Sequence, residues 1–219
     1  GAWSSALQVG DVAGIGVAGN GDLFDAVVLS TSGDIVAHNT NGTLVRWTAP
    51  DFSRPTVLAS GHFRDVEDLC WLSDAAVLFS CSLDRTTRAW CVCPDEMVEI
   101  GRPQVHGYEL KSLVSLSPSI LVSAGDEKVI RVFQAPKVFA ERVNSFFGVA
   151  ALTGDTFVDA VAVSQPALGL SNKSGSGGAV MADDAGVPDE PQLAASTLFP
   201  EIDKLYGHGD ELQCIATSP

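Results

Sequence analysis

Basic residues are scarce in this chain. Thirteen lysines and arginines stand against 27 aspartates and glutamates, a formal charge of −14 over 219 residues. A nucleic-acid backbone is gripped mainly by clustered cations, and no basic cluster occurs, so direct nucleic-acid binding is not expected of this segment. Long apolar runs are missing as well. No uninterrupted stretch approaches the roughly eighteen residues a membrane-spanning helix needs, and the first residues do not read as a basic and then apolar leader. No membrane role and no secretion are expected. The five cysteines (Cys70, Cys81, Cys91, Cys93 and Cys214) form an odd set without a disulfide spacing, which points to a reducing compartment: the cytoplasm, with the nucleus as a second place. What is plentiful is apolar character, 46% against 18% charged, enough for a folded core. A start at Gly1 rather than Met, and an end just after a fresh Gly-His, are expected of a piece of a longer protein.

Three strand-like segments recur in step. Asn41–Trp47 (NGTLVRW), Asp84–Trp90 (DRTTRAW) and Asp126–Phe133 (DEKVIRVF) end on Trp47, Trp90 and Phe133, each 43 residues after the last. A second ladder runs beside the first: His62 and His106 lie 44 apart, each about 27 residues before its aromatic. A period of 40 to 45 residues, with a Gly-His early and an aromatic strand end late, is the mark of a WD-repeat β-propeller with one four-stranded blade per repeat. Residues 61–91 predict strands at Val66–Trp71, Val77–Ser82 and Thr86–Trp90. The repeat before predicts Ala26–Thr31, Asp34–His38 and Thr43–Trp47, with a type I′ hairpin at Asn41-Gly42, and the repeat after predicts Leu110–Leu116, Ile120–Ser123 and Val129–Phe133. The fold class is therefore all-β, a partial propeller of about three blades plus an insertion and the start of a further blade.

Repeat 61–91 holds His62, Ser82, Asp84 and Trp90, a set that WD blades bond internally. Asp84 accepts from His62, His62 reaches Ser82, and Ser82 reaches the indole. A His–Ser–Asp set invites a hydrolase reading, yet there is no nucleophile elbow, and the structural reading is preferred. The next repeat keeps His106 and Asp126 but has Phe133 for Trp and Ala124 where the serine would fall, so its network is expected to be thinner. Cys91-Val92-Cys93 with Cys81 and His106 does not make paired zinc knuckles, because alternate strand residues point to opposite faces. Gly14-Ile15-Gly16 lacks the following helix that a dinucleotide site needs. No catalytic residue, metal, cofactor or small-molecule substrate is expected.

After Phe133 the period breaks. The next Gly-His is His208, 75 residues on, where 15 or 16 separate the earlier pairs, so about 59 residues are inserted. Within them 171–189 is rich in Gly, Ser and Asp and reads as a flexible loop, whereas 161–172 and 198–208 read as ordered. Interaction chemistry on a propeller usually lives on the loops at blade ends. The candidates for partner binding are Arg64, Asp65, Arg85, Arg102, Tyr108, Glu109 and Glu127, among which arginine and tyrosine carry the most interface energy.

Residues 102–110 (RPQVHGYEL), 123–135 (SAGDEKVIRVFQA), 166–173 (PALGLSNK) and 198–209 (LFPEIDKLYGHG) resemble the Elongator subunit 2 family, and in that family's order. The resemblance covers about residues 3–216. It implies two consecutive propellers acting as a non-catalytic scaffold that binds other protein subunits of an Elongator-like complex, which modifies the wobble uridine of tRNA. It further implies that 1–135 are terminal blades of one propeller, 136–197 an insertion or inter-propeller junction, and 198–219 the start of a further blade, of a second propeller. The other reading is a WD-repeat adaptor or substrate receptor of another assembly, such as a ubiquitin ligase.

Overall fold

Among the described residues, short β-branched and apolar runs, punctuated by Asp, Ser and Gly, form twelve strands, accompanied by one helix. The computed structural model describes residues 24–29, 31–39, 42–52, 56–72, 77–93, 96–147, 152, 157–158, 187–188, 192–193 and 197–218. Two compact units divide at residue 61.

The first unit holds one antiparallel sheet ordered β1-β2-β3-β4, from β1 (Phe24–Leu29), β2 (Ile35–Asn39), β3 (Leu44–Trp47) and β4 (Thr56–Ala59). Its small core is Ala37, Val45 and Trp47, ringed by Ile35, Phe52 and Val57. Gly33 and Gly42 sit at φ 88° and 82°, backbone that only glycine adopts without strain, at the reversals into β2 and β3. Asn41, the partner residue of the expected type I′ turn, lies outside the described residues.

The second unit carries two sheets. One is ordered β5-β6-β7-β8, from β5 (Val66–Trp71), β6 (Val77–Ser82), β7 (Thr86–Val92) and β8 (Met97–Val105). The other is ordered β12-β11-β10-β9, from β9 (Leu110–Ser117), β10 (Ile120–Gly125), β11 (Ile130–Gln134) and β12 (Glu201–Leu205). Asp68 joins them: its carboxylate accepts from the Ser112 hydroxyl at 2.7 Å and from the Leu113 amide at 3.0 Å. Between β6 and β7 the Arg85 amide closes a turn on Ser82 O at 3.1 Å, and Arg85 itself takes φ 70°, the bulged continuation of a three-residue hairpin loop. Gly125 has a different constraint: a Cβ there would lie 2.6 Å from the Glu109 carbonyl.

The period survives in the registers. Trp47 pairs with Ile35, Trp90 with Leu78 and Phe133 with Leu121, so both members of each pair step by 43. The outer strand of the third sheet departs from the expected domain division. Residues 198–219 were expected to begin a new blade, but β12 pairs with β11 and completes the sheet that β9 to β11 begin. The 59-residue insertion therefore lies inside the third sheet, between its third and fourth strands.

The insertion begins with α1 (Lys137–Phe147), which the strand-centred sequence reading did not foresee. Phe139, Ala140 and Val143 form its buried face, and Arg142 donates to the Ile100 carbonyl of β8 at 3.0 Å. The chain returns along the same strand: Arg102 N donates to Thr197 Oγ1 at 2.8 Å, and Phe199 N to Pro103 O at 2.8 Å. Pro103, which has no N–H, is accommodated because β8 is an outer strand. Phe79 of β6, Phe139 of α1 and Phe199 meet with ring centroids 4.9–6.3 Å apart. Each such ring contributes about 1.5–3 kcal/mol on burial. Both ends of the insertion are thus packed into the core. Residues 161–172 and most of 171–189 lie outside the described residues.

Candidate functional site

The polar residues singled out in repeat 61–91 do meet, with a change of membership. His62 Nδ1 lies 2.8 Å from Asp84 Oδ2, and His62 Nε2 lies 2.7 Å from Ser80 Oγ, which also accepts the Trp90 indole N–H at 2.8 Å. The relay serine is Ser80, not Ser82. Trp90 stands opposite Leu78, so its diagonal neighbour on the same face is Ser80, and Ser82 is a further step away. Ser82 instead accepts from the Asp84 amide at 3.0 Å and donates to Arg64 O at 3.2 Å.

Asp84 is the centre of this network. Beyond His62, it accepts from Thr86 Oγ1 at 2.7 Å and from the amides of Thr86 and Phe63. Burial alone would raise its pKa, but the hydrogen bonds and charge of His62 and the bonds of Thr86 outweigh it and hold the carboxyl at about 2. Arg88, whose side chain is 0% exposed, lies 3.8 Å from Asp84 Oδ2 and donates to Glu99 Oε2 at 3.0 Å; Glu99 in turn accepts from Arg102 Nε at 2.7 Å. Two acids, Asp84 and Glu99, and two arginines, Arg88 and Arg102, thus balance one another in the sheet interior.

The third sheet repeats the pattern. His106 Nε2 lies 3.0 Å from Glu127 Oε1, Arg131 grips Glu127 at 2.6 and 2.9 Å, and Arg131 Nη1 lies 2.7 Å from Glu201 Oε2. The acid is Glu127 rather than the expected Asp126, because the repeat places it four residues before the arginine: Asp84 before Arg88, Glu127 before Arg131. The serine position follows the same step. Ser123, not Ala124, stands 43 residues after Ser80, but with Phe133 in place of Trp90 there is no indole to serve, and Ser123 donates to Gln104 Oε1 at 2.7 Å. Burial would raise the Glu127 pKa, and the bonds from His106 and Arg131 hold it at about 2.

Sequence reasoning missed Ser80, Arg88, Glu99, Arg131 and Glu201. The signal was available: Arg88 and Arg131 are 43 apart, and Glu99 and Glu201 are 102 apart, which is 43 plus the 59 inserted. In the first sheet Ala37 and Val45 stand 43 residues before Ser80 and Arg88, so those two positions supply neither the hydroxyl nor the guanidinium there.

Of the expected partner-binding residues, Arg64, Asp65, Arg85 and Tyr108 are exposed. Arg64 donates to Glu109 and to Leu83 O, bridging the loops of the two sheets. Tyr108 is 54% exposed, with its ring 5.7 Å from that of His106. Two candidates are corrected. Arg102 is 3% exposed and held by Glu99 and Thr197, and Glu127 is held by His106 and Arg131, so neither side chain is presented to a partner.

Burial pushes the Cys70 and Cys91 thiols up to about 12 and raises Cys81 further, the reverse of what a nucleophilic thiolate needs. Among the described residues no three His, Cys, Asp or Glu side chains converge as a metal site.

The WD domain, G-beta repeat family model matches residues 54–91, the stretch that contains the His62–Asp84–Ser80–Trp90 network. Among curated proteins, the chain is similar to Elongator complex protein 2 of Drosophila melanogaster at 33% identity, covering all of this chain and 31% of that protein. The human protein of that name is 31% identical, with 98% and 30% covered, and that of Saccharomyces cerevisiae 33% identical, with 73% and 24% covered. The chain thus spans about a third of the length of the curated relatives it matches.

Proposed function

Since this chain is a WD-repeat homologue of Elongator complex protein 2, we propose that it is a non-catalytic scaffold that organises the other protein subunits of an Elongator-like complex, the assembly that modifies the wobble uridine of tRNA. The observation that carries the reading is similarity along the whole chain rather than across one repeat. The chemistry supports it. Every group that might have served a hydrolase is committed to its neighbours: His62 to Asp84 and Ser80, Ser80 to Trp90, and Asp84 to His62 and Thr86. Stiff sheets present a preorganised surface, so binding need not be offset by folding a disordered arm. The surface proposed for partners is the loop end bearing Arg64, Asp65, Arg85, Tyr108 and Glu109. The location proposed is the cytoplasm, with the nucleus second.

A further sheet beginning within 206–218 belongs to the same proposal. Leu212 follows His208 by four residues, as Val66 follows His62 and Leu110 follows His106. Moreover, the Ile215 amide donates to Ser112 Oγ at 3.1 Å, much as the Leu113 amide donates to Asp68 at 3.0 Å.

Affinity capture of the tagged full-length protein from its own cells, with its partners identified by mass spectrometry, tests the reading. Elongator subunits are expected. A cullin-type assembly would assign the chain to ubiquitin-ligase adaptors instead. Charge reversal at Arg64 together with Tyr108→Ala is expected to reduce capture, and unchanged capture would remove this loop end as the surface.

A further inference from the structure

β12 reaches the third sheet only after the inserted segment, and its own sequence says little about where it should stop. A sheet register is normally fixed by which side chains must be buried, and a slip of two residues keeps every side chain on its face. In β12 (EIDKL) the two apolar residues, Ile202 and Leu205, are 48% and 46% exposed, so apolar burial does not decide between registers. A rival register is also available: a slip of two would carry Asp203 from Val132 to Gln134 and take Glu201 away from Arg131.

The carboxylate that is used arrives at a place the second sheet has already defined. There Glu99 stands opposite Trp90 and binds Arg88; in the third sheet Glu201 stands opposite Phe133 and binds Arg131. Glu201 is 7% exposed and Arg131 11%, so the pair is largely desolvated. Arg131 is also held by Glu127, and Lys204 lies 3.3 Å from the other Glu201 oxygen. Buried ion pairs are best attested as devices that fix register rather than as sources of net stability.

We propose that the Glu201–Arg131 pair is the register key by which the returning chain selects its place on β11, standing in for the sequence continuity that places β8 on β7. The test uses disulfide trapping in the whole chain with Cys93 and Cys214 replaced by serine. One reporter, Ile130→Cys with Leu205→Cys, reads the native register, in which these residues are opposite one another. The other, Val132→Cys with Leu205→Cys, reads the slip of two residues, in which Leu205 stands opposite Val132 instead of Ile130. The native reporter is expected to cross-link at least about tenfold faster than the slipped one, and Glu201→Gln and Arg131→Met are each expected to bring the two rates close together. Lys204→Met is expected to leave the ratio unchanged. Loss of both cross-links in Glu201→Gln, with amide protection of β5 to β7 intact, would support the assignment, because the strand has then left the sheet. An unchanged ratio in Glu201→Gln, an equal shift with Lys204→Met, or loss of protection in both sheets would overturn it.

Discussion

The second and third sheets place the same sequence of groups, histidine, acid, arginine and acid, on equivalent positions, yet they obtain the last of these differently. In the second sheet Glu99 follows Arg88 through a short reversal. In the third, Glu201 follows Arg131 after an excursion that includes a helix. The lesson is that the repeating object is the set of cross-strand contacts rather than the length of chain between them. Loop closure entropy grows slowly with loop length, so an insertion of this size is tolerated if its ends are anchored. Here they are anchored by Phe139 and Phe199 against Phe79. The two sheets also differ in depth of burial. The Asp84 and Arg88 side chains are 0% exposed, against 12% for Glu127 and 11% for Arg131, and only the second sheet closes its relay on an indole.

That contrast can be broken at its centre. Asp84→Ala strands buried His62 and Arg88 and is expected to cost about 3–5 kcal/mol in chemical denaturation, whereas Glu127→Ala, in the wetter site, is expected to cost about 1–3 kcal/mol. Equal costs would refute the difference in depth. Gly125→Ala drives a Cβ against the Glu109 carbonyl and is expected to destabilise the third sheet by about 1–3 kcal/mol, seen as faster amide exchange in β9 and β10. Ser80→Ala leaves the Trp90 N–H and His62 Nε2 without a partner, at about 1–3 kcal/mol, while Ser82→Ala, outside the relay, is expected to cost about 1 kcal/mol or less by the same denaturation measurement. A reversed order would restore Ser82 to the relay.

A smaller effect sharpens the comparison through pH. Asp84 and Glu127 are both held at about 2, below ordinary values of 3.8 and 4.5. The unfolded chain therefore binds more protons than the folded one across this window. The stabilisation from both groups is complete above about 4.5 and is lost as the pH falls toward 2. Glu127→Gln is expected to remove the part of the acid-induced loss that begins near 4.5, and Asp84→Asn the part that begins near 3.8. Acid titrations of the two variants followed by near-ultraviolet dichroism check this.

Much of this architecture was legible in the residues. The steps between Trp47, Trp90 and Phe133 carry over into the observed registers, and the strands of the best repeat fall where their β-branched runs lie. The outer strands were not legible. β8 contains Gly101 and Pro103, which read as interruptions, and β12 has neither alternation nor an apolar face. The helix can be read from Phe139, Ala140, Val143 and Phe147, which fall at helical spacing, but a reading by strand repeats finds order in the insertion only at 161–172 and 198–208. At the site, His62, Asp84 and Trp90 were recognisable as residue types in a known blade pattern. Ser80 and the arginine–glutamate pairs were not, since they follow from which residues stand diagonally or directly opposite, and register is a property of paired strands rather than of one segment.

The most direct test of a sheet that resumes across an insertion is a set of inter-strand backbone NOEs from an isotope-labelled sample. Contacts between Phe133 and Glu201, Val132 and Asp203, and Ile130 and Leu205, with slowed amide exchange in both strands, are the predicted result. Their absence, with 201–205 exchanging as freely as unstructured chain or pairing with any strand other than β11, would contradict it.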